Sequence, residues 1–218
     1  MPTLMTPLDR SAAHQSAPGA TSDYYDPFPR MSLSRPILIA GQLGSRTRLI
    51  GRSFCARTGL PFVDIDRKIE HEAGRSLIEI AGVEGPARVA NWARFMLDRF
   101  ARERPRSVIV LDRAWPAIDS KQQLSDRVDF VHVLLPRDVL FELMREELYG
   151  PASWLLYKEP EERRDPDRWH EHFDTWLSRR TPLLDYASIL LETDQLHPHD
   201  VAKLLMDSLD SIADTHEV

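Results

Sequence analysis

The stretch "ILIAGQLGSRTRLIGRSF" (37–54) passes from an apolar run to Gly41, turns through Gly44, and continues into an apolar-periodic segment. This is the frame of a phosphate-binding loop, G-x-x-x-x-G-K-[ST]. Its glycines let backbone N–H groups wrap a phosphate, while a lysine and a hydroxyl hold the charge and a magnesium ion. Gly41, Gly44 and Ser45 keep the frame, but Arg46, Thr47 and Arg48 stand where glycine, lysine and serine or threonine belong. The lysines of the chain, Lys68, Lys121, Lys158 and Lys203, all lie elsewhere. A loop one residue shorter would give those roles to Ser45, Arg46 and Thr47, with a planar guanidinium as a poor copy of a compact ammonium. Downstream, Asp64 and Asp66 close "PFVDID" two residues apart, so on a strand end they share one face. Paired carboxylates beside such a loop suit a magnesium ion and a hydroxyl substrate. The other reading is an N-cap for a helix beginning near Arg67. Asp112, closing "SVIVLD", is a further candidate magnesium-side carboxylate, or a strand-end cap.

The elements that must position these groups alternate along the chain. Strand-like runs at 36–40, 61–66, 107–112, 130–135 and 187–192 are separated by helical patterns. Helices are expected at Thr47–Thr58, through about Arg104, near 137–148 and 167–180, and from Pro198 to about Ala213. This alternation predicts an α/β fold, a three-layer sandwich with a central parallel sheet, and places ligand-bearing loops at the carboxyl ends of the strands. Trp92, Phe95, Met96 and Phe100, at helical spacing, are expected in the core. Residues 1–34, rich in Ser, Thr, Pro and Ala, read as a flexible extension before a domain at 35–218, with Met31 a possible start. The polar stretch 157–169 reads as a solvated connection or a lid.

The composition narrows the function. A net charge of −6 argues against a nucleic-acid partner. The single cysteine, Cys55, forbids an internal disulfide or a cysteine-based metal cluster and fits a cytoplasmic setting. No apolar stretch approaches the ~20 residues of a spanning helix, so no membrane partner is expected. His170 and His172, two apart on a predicted helix, and His197 and His199, flanking a proline, lack the i, i+4 spacing of a zinc pair.

The block 51–85 carries Gly51, Arg52, Gly59, Phe62, Asp64, Asp66, Ile69, Glu70, Gly74, Ser76, Glu79, Ile80 and Gly85 at fixed spacing. In this it resembles the segment after the phosphate loop of shikimate kinases. "RTPLLDYASILLETD" (180–194) is similar to the family's late arginine segment and adenine-side loop. The resemblance implies the phosphate-loop kinase fold. It assigns Asp64 to the metal, Asp66 to shikimate binding and proton removal, and Arg180 to the substrate. The departures fall on the chemistry. Besides the loop, Pro86, Val89 and Ala90 replace the family's glutamate, phenylalanine and carboxylate-gripping arginine, and "LDRA" (111–114) replaces its three-glycine turn. Arg94, four residues beyond Ala90, is expected to cover part of that gap. The expectation is a shikimate-kinase-like protein with a degraded loop that binds a small anionic metabolite or a protein partner. Its rival is a divergent kinase that uses ATP and magnesium.

Overall fold

The computed structural model describes residues 35–42, 44–118, 124, 126–146, 169–193 and 196–215. The extension 1–34, Met31 and residues 157–168 of the polar stretch lie outside the described residues.

Five parallel strands form one sheet: β1 (Ile37–Gly41), β2 (Phe62–Asp64), β3 (Val108–Leu111), β4 (Asp129–Leu134) and β5 (Ile189–Glu192), in the order β2-β3-β1-β4-β5. The helices are α1 (Thr47–Thr58), α2 (Ile65–Ala73), α3 (Leu77–Glu84), α4 (Pro86–Glu103), α5 (Arg137–Glu146), α6 (Trp169–Leu184) and α7 (Pro198–Thr215). Strand side chains alternate between the two faces. Leu38, Ala40, Ile109 and Leu111 pack with α2, α3 and α4, whereas Ile37, Ile39, Val108 and Val110 pack with α1 and α7. Helices on both faces make the expected three layers. Gly51 lets α1 lie close to the sheet, since a Cβ there would come within 2.4 Å of Val110 Cγ2.

The order places a switch point beside β1, where the chain has gone first to β2 and β3 on one side and later to β4 and β5 on the other. Ligand crevices in open parallel sheets form at such a point. The loop from Gly41 therefore opens at the centre of the carboxyl edge, with the ends of β2 and β3 beside it.

Two local expectations need correction. The second strand ends at Asp64 rather than Asp66, because the Asp64 side chain accepts the Arg67 N–H (3.2 Å) as the N-cap of α2. Asp66 thus sits in the first helical turn. On α4 the buried stripe is Val89, Ala90, Ala93, Met96, Leu97 and Phe100, which turns Phe95 outward, 54% exposed, and leaves Trp92 half-buried.

Candidate functional site

The loop keeps the geometry of a phosphate cradle while its side chains are committed elsewhere. Gly41 is sterically required, because a Cβ there would lie 2.8 Å from the Val133 carbonyl oxygen. Gln42 staples the loop to β4 by accepting the Leu135 N–H at 2.6 Å. Gly44 has φ +80°, and Arg46 has φ 56°, ψ 32°, a left-handed conformation natural to glycine and found in no other non-glycine among the described residues. The backbone thus takes at Arg46 the shape for which the motif supplies its last glycine, and α1 starts at Thr47.

Thr47, at the lysine's place, is fully buried, and its Oγ1 donates to Asp112 Oδ1 at 2.9 Å. Arg48, at the place of the metal-binding hydroxyl, sets its guanidinium against both paired carboxylates. Its Nε lies 2.9 Å from Asp64 Oδ2, and its Nη2 lies 3.9 Å from Asp66 Oδ2. Asp64, Asp66, Thr47, Arg48 and Asp112 are therefore brought together.

Asp66 is completely buried. Its oxygens accept backbone N–H groups from Arg113 (2.6 Å) and Ala114 (3.2 Å), in the turn after β3. Burial pushes its carboxyl up to about 7, with the charge of Asp112 and Asp64 adding to the rise and the two N–H donors opposing it. Arg180 donates to the Pro116 carbonyl and lies over the Trp176 ring, its Cζ 4.2 Å from the centroid. Ala90 is buried in the same core cluster as Trp115, where a charged side chain would have to leave water. Arg94 is exposed on α4.

Two cavities flank this arrangement. A small one, about 20 Å³, is lined by Gln42, Trp115, His132, Trp176 and Arg180 and is large enough for one water. The larger, about 330 Å³, lies on the opposite side of the loop and is lined by Gly44, Ser45, Arg46, Leu135, Val139, Leu143 and Thr193. The roomier space is thus on the β4–β5 side of the loop, whereas Asp66 is completely buried and Arg180 half-buried.

Sequence reasoning had not singled out His132, Trp115 or Gln42. His132 is 3% exposed on β4, its ring centroid 5.2 Å from that of Trp115. Burial, with Arg180 nearby, lowers its pKa to about 4. The unfolded chain therefore takes up a proton as pH falls from 6.5 towards 4 and the folded chain does not, so stability is lost across that window. A fall from 6.5 to about 4 corresponds to roughly 3 kcal/mol. Asp66 acts in the opposite sense. Its raised pKa favours the folded state at low pH and disfavours it as pH rises through 7. Urea unfolding at pH 7 and pH 4.5 should show wild type losing about 2–3 kcal/mol more than His132→Phe. Equal losses would mean that His132 is not held neutral. Two further histidines have local roles: His170 stacks on Phe141 at 4.7 Å, and His199 contacts Ser53 and Arg57.

The Asp64–Asp66 pair does not fit a magnesium ion. A divalent cation needs carboxylate or hydroxyl oxygens free to approach. Asp66 is completely buried with both oxygens on backbone N–H groups, Asp64 Oδ1 caps α2, and the remaining oxygen, Asp64 Oδ2, faces the Arg48 cation.

A five-stranded parallel sheet in this order, with helices on both faces and a glycine loop leading from the central strand into α1, is the phosphate-loop kinase fold. Comparison with known proteins narrows the resemblance. The chain is 24% identical over 171 residues to the shikimate kinase of Thermodesulfovibrio yellowstonii, covering 78% of this chain and 92% of that protein. It is 28% identical over 173 residues to that of Xanthomonas campestris, covering 78% and 89%. Among solved structures, the shikimate kinase of Acinetobacter baumannii in complex with shikimate superposes with a TM-score of 0.63 at 19% identity, covering 83% of this chain and 94% of that one. The enzyme from Aquifex aeolicus gives 0.60 at 18% identity, covering 82% and 98%. No protein-family model matches the chain. The resemblance to the shikimate kinase family thus holds in sequence over most of the chain, and the fold is that of these kinases. No described helix is long and apolar enough to cross a membrane.

Proposed function

We propose that this chain is a shikimate-kinase-like binding protein that has given up ordinary ATP-dependent phosphoryl transfer and responds to a small anionic metabolite. The observation that carries the reading is the state of the loop's side chains: Thr47 is buried on Asp112, and Arg48 is paired with Asp64. Phosphoryl transfer depends on electrostatic stabilisation of charge developing on the moving group, and losing one preorganised donor costs on the order of 100- to 1000-fold in rate. Here the ammonium and the metal-binding hydroxyl are both replaced. Arg46 on the rim of the 330 Å³ cavity supplies a positive charge for an anionic ligand there.

Asp66 and Arg180, the groups matching the family's substrate side, serve in this reading to hold the turn after β3 and α6 in place. One observation favours the rival reading of an active, divergent kinase: a hydroxyl and a strand-end carboxylate, Thr47 and Asp112, stand together at the start of α1. Coupled assay of ADP release from Mg–ATP with shikimate separates the two readings. The binding protein shows no shikimate-dependent release, and the divergent kinase does.

A further inference from the structure

Arg48 comes from the first turn of α1 and reaches the carboxylates that begin α2. Its side chain is 23% exposed, against 9% for Asp64 and none for Asp66. The pairing is one of charge and distance, because Nε and Nη2 of Arg48 and Oδ2 of Asp64 form no aligned hydrogen bond although Nε and Oδ2 are 2.9 Å apart. Two buried nitrogens of a cation therefore face the carboxylate pair.

We infer that Arg48 is a tethered replacement for a divalent cation: its guanidinium neutralises the Asp64–Asp66 pair from within the chain and bars Mg²⁺ or Mn²⁺ from that place. The inference rests on the proposed reading of the loop and adds that the site's ligand binding is independent of divalent metal. Of the four oxygens on the two aspartates, only Asp64 Oδ2 is not used by a backbone N–H, and Arg48 covers it. Arginine suits this place because it stays charged at any working pH and its planar head presents several donors at once.

The test is Mn²⁺ binding to the full chain, followed by loss of the free-ion electron paramagnetic resonance signal. Wild type should leave the signal unchanged at millimolar Mn²⁺. Arg48→Ser should bind one ion with a dissociation constant of ~1 mM or tighter, and adding Asp64→Asn should abolish that binding. Arg48→Gln, which keeps bulk and N–H donors without charge, is the second variant should the serine change impair folding; thermal melting reports which variant is folded. Wild-type Mn²⁺ binding that disappears in Asp64→Asn would overturn the inference, as would a folded Arg48→Ser or Arg48→Gln that gains none. A second arm titrates ADP calorimetrically with EDTA or with magnesium. Equal affinity in both is expected, and affinity at least tenfold higher with magnesium would overturn the inference. Phosphoryl transfer by a wild type that binds no Mn²⁺ would sink the proposed function and leave this inference standing.

Discussion

The triple substitution Arg46→Gly, Thr47→Lys, Arg48→Ser is expected to raise affinity for Mg–ADP by about a hundredfold or more. Arg46 already holds the left-handed backbone that glycine prefers, so that change enters without rearranging the loop and removes strain. Lysine at 47 and serine at 48 would each restore a charge-assisted or metal-mediated contact, typically worth about 1.5–3 kcal/mol. With about 1.4 kcal/mol per tenfold in affinity, two such contacts give a hundredfold at the low end. Removing Arg48 also uncovers Asp64 Oδ2 for the metal. Calorimetric titration of wild type and variant with Mg–ADP checks this. A folded variant with unchanged affinity would mean that the Gly41–Gly44 backbone is not a working phosphate cradle.

Trp115→Ala should be the most destabilising single change near the site. Trp115 is 1% exposed and packs on Phe130 and His132, with ring centroids 5.4 and 5.2 Å away. Truncating a buried aromatic of this size leaves a cavity and costs about 3–5 kcal/mol, a fall of roughly 10 °C in melting temperature for a domain of this size. Among the described residues the indole Nε1 has no hydrogen-bond partner, so Trp115→Phe removes an orphan donor and should cost much less. Thermal unfolding of both variants decides the matter. Near-equal losses would show that the indole nitrogen, rather than ring volume, is what the site uses.

The parts of the molecule governed by local patterning were open to sequence reading. β1, β3 and β4 are short apolar runs rich in β-branched residues, and the helices between them fix a parallel sheet, so the loop's place at the central strand followed. The ends of elements were less accessible. Asp64 both closes β2 and caps α2, a double use that depends on its side chain finding the Arg67 N–H, and Phe95 falls outside the buried stripe of α4 by the angle of one residue. The site's tertiary contacts were hidden for a different reason. Arg48 and Asp64 sit on separate elements, and Asp66 meets N–H groups of a turn that follows β3. Nothing in the local sequence announces such meetings. A signal was present in retrospect: an arginine at the hydroxyl's position, with two aspartates where a metal would be held, is a charge pair awaiting contact. Trp115 carried a similar signal, a bulky ring just beyond the turn that follows β3.

Under the proposed function this protein does not transfer phosphoryl groups in the ordinary way, and a coupled assay for ADP production by the unmodified full chain, with Mg–ATP and shikimate at millimolar concentration, decides it. No shikimate-dependent ADP release above a protein-free control is expected. Release at rates within about tenfold of ordinary kinases, ~1–100 per second, abolished by Asp66→Asn, would contradict it.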